Sequence, residues 1–247
     1  MRQFFYHAGR YFLLMTKVFR RPEKNRVFWK QVMVEIESLG TDSVGIVAFI
    51  SVFMGAVLAI QTAAQTDNPL YPGYLIGFAV RQSIILEFAP TMICLILAGK
   101  IGSRIASELG TMRVTEQIDA LEIMGINPAS FLIGPKVTAA LIVFPVLVAI
   151  SMFLGVFGGY LAAVVAGVVA PEDYLSGIKM WFVPFDVIYA FIKSLVFAVI
   201  ITTISGYHGY SVKGGAVEVG YNSTKAVVHS SIAIIVFNLI LTQMLLG

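Results

Sequence analysis

The sequence predicts an all-α integral membrane protein, and three observations support this fold class. Of the 247 residues, 58% are hydrophobic and only 13% are charged, whereas soluble domains are about half apolar and a quarter charged. Long blocks without charges follow one another, and each can form a membrane-spanning helix of about 20 residues. Basic residues collect in alternate connectors. We therefore expect one domain, residues 1–247, with an N-terminal interfacial helix, five transmembrane helices and a short cytoplasmic helix between the second and third spans.

The N-terminal segment, residues 1–40, mixes aromatic and aliphatic side chains with basic ones. Up to Arg21 this mixture is typical of a helix that lies in the membrane surface, and Pro22 should end that helix. A second amphipathic stretch follows, with apolar residues at helical spacing: Phe28, Val32, Ile36 and Leu39. The alternative is a soluble cytoplasmic leader, which would leave a large aromatic surface in water. No small-residue cleavage site follows, so we expect the segment to be retained.

The predicted transmembrane region is residues 44–246, and its apolar blocks define five spans. These are residues 44–64, 74–99, 137–170, 186–205 and 226–246. The first two are joined by a turn of chain-breaking residues, 67–73, and the last two by a glycine-rich loop, 206–225. Residues 171–185 are interpreted as a re-entrant or surface segment on the far side of the membrane.

The third block has thirty-four uncharged residues. This is more than one helix needs to cross a bilayer, but too few for two comfortable spans joined by a turn. We interpret it as one long helix, because two spans would place the lysines of the last loop outside the cell. Gly155 and Gly159 in this block predict close packing against another helix. The alternative for this glycine pair is a loose, flexible helix.

The distribution of basic residues predicts the orientation in the membrane. Of 17 lysines and arginines, the N-terminal segment holds eight, the connector 100–136 holds four and the last loop holds two. The two connectors between these regions contain only Lys179. By the positive-inside rule the N-terminus and the connector 100–136 are cytoplasmic, and the C-terminus is periplasmic.

The connector 100–136 contains a short amphipathic pattern within residues 108–128. It contains four acidic residues, Glu108, Glu116, Asp119 and Glu122. A regular spacing of three and four residues predicts one acidic face, made of Glu108, Thr111, Thr115, Asp119 and Glu122, while Val114, Ile118 and Leu121 follow the same rhythm on another side. Gly110 and Thr111 predict the start of a helix of about three turns, and Gly125 with Asn127-Pro128 predicts its end. Such a helix is either a solvated connector or a docking surface for another protein.

Charged residues inside the predicted spans indicate a functional or structural site. Each costs about 2.5–3.5 kcal/mol near the bilayer centre on insertion scales, so they rarely face lipid. We predict that Glu87 of the second span faces Lys193 of the fourth across a polar interior, while Arg81 lies on another side of its helix. Asp186 lies two turns before Lys193, and Pro90 should free a backbone carbonyl near Glu87. The alternative is a buried ion pair that only fixes helix register.

The chain shows no pattern of an enzyme. It has no phosphate-binding G-x-x-x-x-G-K-[ST] motif, so it is not expected to hydrolyse ATP by that route, and no cofactor is predicted. Cys94, in an apolar run, is interpreted as a buried thiol. His7, His208 and His229 are far apart in the sequence, with no ligand-like spacing, so no metal site is predicted.

The run from Glu108 to Pro128, ELGTMRVTEQIDALEIMGINP, resembles the signature loop of the MlaE/YrbE family of ABC-transporter permeases. The likeness extends from about Ser38 to the end of the chain. It includes the run Leu86 to Pro90, Ile192-Lys193-Ser194, and the run KAVVHSS at 225–231. In that family the loop is a cytoplasmic coupling helix that rests in a groove of the ATPase subunit. The resemblance therefore assigns ATPase coupling to Glu108, Glu116, Asp119 and Glu122.

The resemblance implies a homodimeric permease in a bacterial inner membrane, with ATP bound by separate ATPase subunits. An MCE-domain protein on the periplasmic side would exchange phospholipid or another hydrophobic molecule between the inner and outer membranes. The implied substrate cavity would contain Glu87, Lys193 and Asp186, together with apolar positions such as Leu58, Ile60, Tyr74 and Phe78. Two other functions stay open: a gradient-driven carrier with Glu87 as a proton site, and a membrane scaffold that only recruits partners.

Overall fold

The computed structural model describes residues 2–19, 25–66 and 72–246, and nearly all of them are helical. The helices are α1 Arg2–Val18, α2 Asn25–Gln65, α3 Tyr74–Val114, α4 Gln117–Ile123, α5 Pro128–Val165, α6 Pro171–Lys179, α7 Pro184–Tyr210 and α8 Ala216–Leu246. Within α3, the segments Ile84–Met92 and Ala98–Gly102 are π-helical. Pro22 and residues 67–71 of the predicted first turn lie outside the described residues.

Five of the described helices, α2, α3, α5, α7 and α8, are long and apolar enough to cross a membrane. The described residues contain no β-strand. The prediction of an all-α integral membrane protein is therefore confirmed. The third apolar block forms one helix, α5, as expected from its length.

Several helices are longer than their apolar blocks. The second amphipathic stretch of the N-terminal segment is continuous with the first span in α2, so no helix boundary separates residue 40 from residue 44. The predicted loop 206–225 is mostly helical as well, because α7 continues to Tyr210 and α8 begins at Ala216. Polar residues do not end a helix by themselves, and a hydropathy pattern therefore locates the apolar part of a helix better than its ends.

The connector between the second and third spans differs from the prediction. Gly110 lies inside α3, where Val212 and Val219 side-chain atoms are 3.0–3.1 Å from the position that a Cβ atom would occupy. Glycine at this position permits close packing and does not break the helix. The break comes at Glu116, which has a left-handed backbone (φ 59°), and the helix α4 that follows has only seven residues.

The chain divides into two compact units, each formed by separate stretches of sequence. One unit comprises residues 2–41, 95–143 and 196–242, and the other comprises residues 42–94 and 144–195 with the C-terminal residues. The first contains the connector with α4, which we call the connector unit. The second contains Glu87 and Lys193, which we call the charge-pair unit.

Glycines bring α2 and α5 into backbone contact in the charge-pair unit. A Cβ atom at Gly55 would overlap the carbonyl oxygen of Gly155, and one at Gly158 would overlap the backbone of Val52. At Gly159 a Cβ atom would be 3.1 Å from the carbonyl oxygen of Gly55. The predicted close packing through Gly155 and Gly159 is confirmed, and Gly158 adds to it.

Candidate functional site

The charge-pair unit contains a distorted helical turn around Pro90. Proline has no N–H group, and its ring excludes the carbonyl of the residue four positions earlier, which is Leu86. The π-helical segment Ile84–Met92 surrounds this point. The Leu86 carbonyl oxygen accepts a hydrogen bond from the Lys193 ammonium group at 3.3 Å. The carbonyl that proline frees thus has a charged donor, as a buried backbone group requires.

Lys193 and Glu87 form the predicted ion pair between α7 and α3. The Lys193 Nζ atom lies 2.8 Å from Glu87 Oε1 and 4.3 Å from the centroid of the Tyr189 ring. The Lys193 side chain is completely buried, whereas 48% of the Glu87 side chain is exposed. Thr91 donates a hydrogen bond to the other oxygen of Glu87 at 3.1 Å. The pair is therefore asymmetric, and its carboxylate is the side that a ligand or another subunit can reach.

A second polar contact joins α3 and α7 toward the N-terminal end of each helix. Gln82 donates a hydrogen bond to the Asp186 carboxylate at 3.1 Å, and Asp186 is buried. Asp186 thus contacts the Gln82 amide of α3. Lys193, two turns further along α7, pairs with the carboxylate of Glu87, which is also on α3. The two contacts define the relative position of α3 and α7 along their length.

Arg81 has a structural role that the sequence did not suggest. Its guanidinium group donates hydrogen bonds to the carbonyl oxygens of Ile178 and Met180, at 2.7 and 2.9 Å, where α6 ends. It also lies 5.1 Å from the Phe78 ring centroid. Arg81 therefore caps the C-terminus of α6, in keeping with the expectation that it does not pair with Glu87.

The structure shows the burial of the apolar residues that were predicted to line a cavity with Glu87, but it does not test whether they bind substrate. Leu58 and Tyr74 are half-buried. Phe78 is also half-buried, and it packs edge-to-face against Trp181 with ring centroids 5.6 Å apart. Their role in substrate binding stays a prediction.

The connector unit presents α4 with one buried and one exposed apolar side. Ile118 is completely buried, whereas Ile123 is 87% exposed and Met124 is 65% exposed. Asp119 pairs with Arg113 across the break, and the Tyr210 hydroxyl donates a hydrogen bond to Glu122 at 3.1 Å. These contacts attach α4 to α3 and α7. The tip of α4, which is Ile123 and the following residue Met124, carries two large apolar side chains that nothing in the described structure covers.

The four acidic residues of the connector do not form one helical face. Glu108 lies on α3 and accepts a hydrogen bond from the buried Lys136 ammonium group at 2.8 Å. Lys136 also pairs with Glu35 of α2. Glu116 lies at the break, so only Asp119 and Glu122 belong to α4. The predicted acidic face was wrong because the helix breaks at Glu116, between Glu108 and Asp119, and no glycine or proline marks this break.

His208 and His229 are in contact in the structure, although they are 21 residues apart in the sequence. The Nε2 atom of His208 lies 2.8 Å from the Nδ1 atom of His229, which joins α7 to α8. Among the residues that the structure describes, no group of three potential metal ligands occurs. Cys94 is completely buried, as predicted.

Comparison with known proteins identifies the family. The model of the MlaE permease family matches residues 32–244. A probable ABC transporter permease protein of Rickettsia prowazekii is 36% identical over 240 residues, which cover 94% of this chain and 88% of the relative.

Two further relatives have more informative names. The intermembrane phospholipid transport system permease protein MlaE of Haemophilus influenzae is 29% identical over 255 residues, covering 99% of this chain and 94% of the relative. The chloroplastic protein TRIGALACTOSYLDIACYLGLYCEROL 1 of Arabidopsis thaliana is 30% identical over 231 residues, covering 94% of this chain and 66% of the relative. With five helices able to span a membrane and a family match over most of its length, this chain belongs to the MlaE permease family.

Proposed function

We propose that this permease is the membrane subunit of an ABC transporter that moves phospholipid or a similar hydrophobic molecule between the inner and outer membranes. The subunit would form a homodimer in the bacterial inner membrane, with an MCE-domain protein on the periplasmic side. ATP hydrolysis would occur in a separate ATPase subunit on the cytoplasmic side. The observation that carries the proposal is the exposed apolar tip of α4, within the stretch of sequence that the family model covers.

The tip of α4 is suited to transmit movement from an ATPase. Ile123 and Met124 provide apolar surface for a groove, and α4 is attached to the long helices by Asp119 and Glu122. Force on α4 would therefore reach α3 and α7 directly. Transport then requires that the two conformations differ in their affinity for lipid, because tight binding alone moves nothing.

The relatives support phospholipid as the substrate class, and the charge-pair unit offers chemistry that fits it. A phospholipid needs apolar walls for its acyl chains and polar groups for its headgroup. The exposed half of Glu87, with Lys193 behind it, would supply the polar groups. Asp186, Leu58, Tyr74 and Phe78 would belong to the same cavity or its wall.

The orientation follows from the basic residues and can be tested directly. We expect a cysteine introduced at Asp119 to be inaccessible to a membrane-impermeant thiol reagent in intact spheroplasts and accessible in inverted vesicles. Cys94 is completely buried and should give little background. Labelling of position 119 from outside would reverse the proposed orientation and remove the ATPase contact.

Substitution of the α4 tip tests the coupling. We expect Ile123→Ser/Met124→Ser to weaken co-purification of the ATPase subunit about tenfold or more, because two large apolar contacts at a protein interface are lost. In proteoliposomes containing the complete transporter, ATP-dependent phospholipid transfer to an acceptor should fall in parallel. Both side chains are exposed, so the folded permease should persist.

Met33→Ser/Val34→Ser provides the matched control. These two adjacent apolar side chains are 63% and 58% exposed on α2 in the same unit, and we expect their loss to leave ATPase binding unchanged. Transfer that stops with an uncoupler and ignores ATP would favour the gradient-driven carrier. Co-purification of partners with no transfer under any condition would favour the scaffold.

A further inference from the structure

The connector unit contains a cavity that the transport proposal does not use. Its volume is about 920 Å³, and it lies among α1, the end of α7 and the beginning of α8. The lining residues that matter here are Arg10 of α1, His208 of α7, Lys213 of the short loop between α7 and α8, and Glu218, Lys225 and His229 of α8. The cavity is as large as those that hold drug-sized ligands.

The walls of this cavity are held by contacts between the helices. The Tyr11 hydroxyl of α1 donates a hydrogen bond to Thr203 of α7 at 2.8 Å, and its ring packs edge-to-face on Tyr207 at 5.8 Å between centroids. The hydrogen bond between His208 and His229 joins α7 to α8. The cavity is therefore formed mainly by connected helices, and the short loop between α7 and α8 contributes Lys213.

The charge of the lining is strongly positive. Arg10, Lys213 and Lys225 line the cavity together with one carboxylate, Glu218. Arg10 lies 5.7 Å from the Tyr6 ring centroid and Lys225 lies 4.2 Å from that of Tyr221, contacts that hold a cation without neutralising it. The ion pairs within the described part of the chain involve other cations. The cavity therefore keeps a positive charge that an anion can balance.

The cavity lining also includes aromatic residues that a soluble anion would not need. Tyr6 and Phe12 of α1 line it and are 60% and 69% exposed, and Leu13 beside them is 67% exposed. These side chains would be poorly placed in water and are well placed against acyl chains. Cations and exposed aromatic rings in one lining fit a molecule with a phosphate group and a hydrophobic tail.

We propose that this cavity binds the headgroup of an anionic phospholipid, with the phosphate near Arg10, Lys213 and Lys225 and an acyl chain along Tyr6 and Phe12. This site belongs to the connector unit, whereas Glu87 and Lys193 belong to the charge-pair unit. The proposal needs only a chain in a membrane, so it does not rest on the proposed transport function. Bound lipid would attach α1 to the ends of α7 and α8.

A fluorophore beside the cavity tests this site in the full-length chain. A cysteine in place of Leu13, which is 67% exposed and does not belong to the cavity lining, carries the fluorophore, and the buried Cys94 should stay unlabelled. In nanodiscs of phosphatidylcholine, we expect spin-labelled phosphatidylglycerol to quench the fluorophore at a much lower mole fraction than spin-labelled phosphatidylcholine. Each cation near a lipid surface contributes roughly fivefold to the affinity for anionic lipid. Lys213→Gln/Lys225→Gln should therefore raise the half-quenching mole fraction more than tenfold, and Lys213→Arg/Lys225→Arg should restore it.

Arg26→Gln/Lys30→Gln removes the same charge from two exposed positions of α2 in the connector unit, outside the cavity, and should change the half-quenching mole fraction less than twofold. Equal quenching by both lipids, or an equal effect of the two double substitutions, would show general attraction to the membrane and overturn the proposal. Competition by millimolar glycerol 3-phosphate or inorganic phosphate would show a site for a soluble phosphate, which also overturns it.

Discussion

Gly55→Ala is expected to destabilise this permease by about 3 kcal/mol or more. The added Cβ atom would overlap the carbonyl oxygen of Gly155, so α2 and α5 would have to separate. Overpacking of a close-packed contact typically costs about 1–3 kcal/mol, and a clash with backbone is harder to relieve than one with a flexible side chain. In a membrane, helix association depends on such close packing, because lipid tails are as apolar as the side chains that they replace.

The measurement is the free energy of unfolding in mixed micelles, obtained by titration with SDS. Gly45→Ala is the matched control, because Gly45 lies on the same helix and has no atom within 4 Å of the position that a Cβ atom would occupy. Alanine is the better helix former by about 0.5–1 kcal/mol, so this control should leave the protein equally stable or more stable. A similar loss of stability for both variants would contradict the backbone contact.

The glycines also show how far the sequence could predict the fold. The pair Gly155 and Gly159 was recognisable because small residues four apart in a long apolar helix have one common purpose. Gly110 and Gly206 were misinterpreted as a helix break and a loop residue. Both lie in helices, and the Ile133 side chain is 3.1 Å from the position that a Cβ atom of Gly206 would occupy. The local sequence does not distinguish a glycine that breaks a helix from a glycine that allows another helix to pack closely. The difference lies in the packing partner, which comes from a distant part of the chain.

The charged residues show the same limit for the candidate site. Glu87 and Lys193 could be paired from sequence because few charges lie within the apolar blocks, so each had few possible partners. Lys136 could not be assigned to Glu35 and Glu108, because many charges surround it in the connectors. The break at Glu116 was also hidden, because a left-handed residue other than glycine leaves no local signal.

Loss of the Glu87 carboxylate is expected to have the second large effect on this protein. In Glu87→Ala, the Lys193 ammonium group, completely buried in the native chain, loses its carboxylate and keeps the Leu86 carbonyl and the Tyr189 ring. Removal of one partner of a buried ion pair typically costs about 3–5 kcal/mol. Lys193→Met should cost less, since the remaining carboxylate is half exposed and still accepts a hydrogen bond from Thr91. We expect Glu87→Gln/Lys193→Met to recover part of the stability lost in Glu87→Ala.

Transport distinguishes a functional pair from a structural one. If Glu87 and Lys193 contact the lipid headgroup, the stable double variant should still lose ATP-dependent phospholipid transfer, because the polar group that faces the ligand is changed. Met92→Ala is the control, since Met92 lies on the same π-helical segment and is 50% exposed, close to the 48% of the Glu87 side chain. This control variant should transfer phospholipid at nearly the wild-type rate. Wild-type transfer in both Glu87→Ala and Lys193→Ala would instead show that the pair serves only to hold α3 against α7.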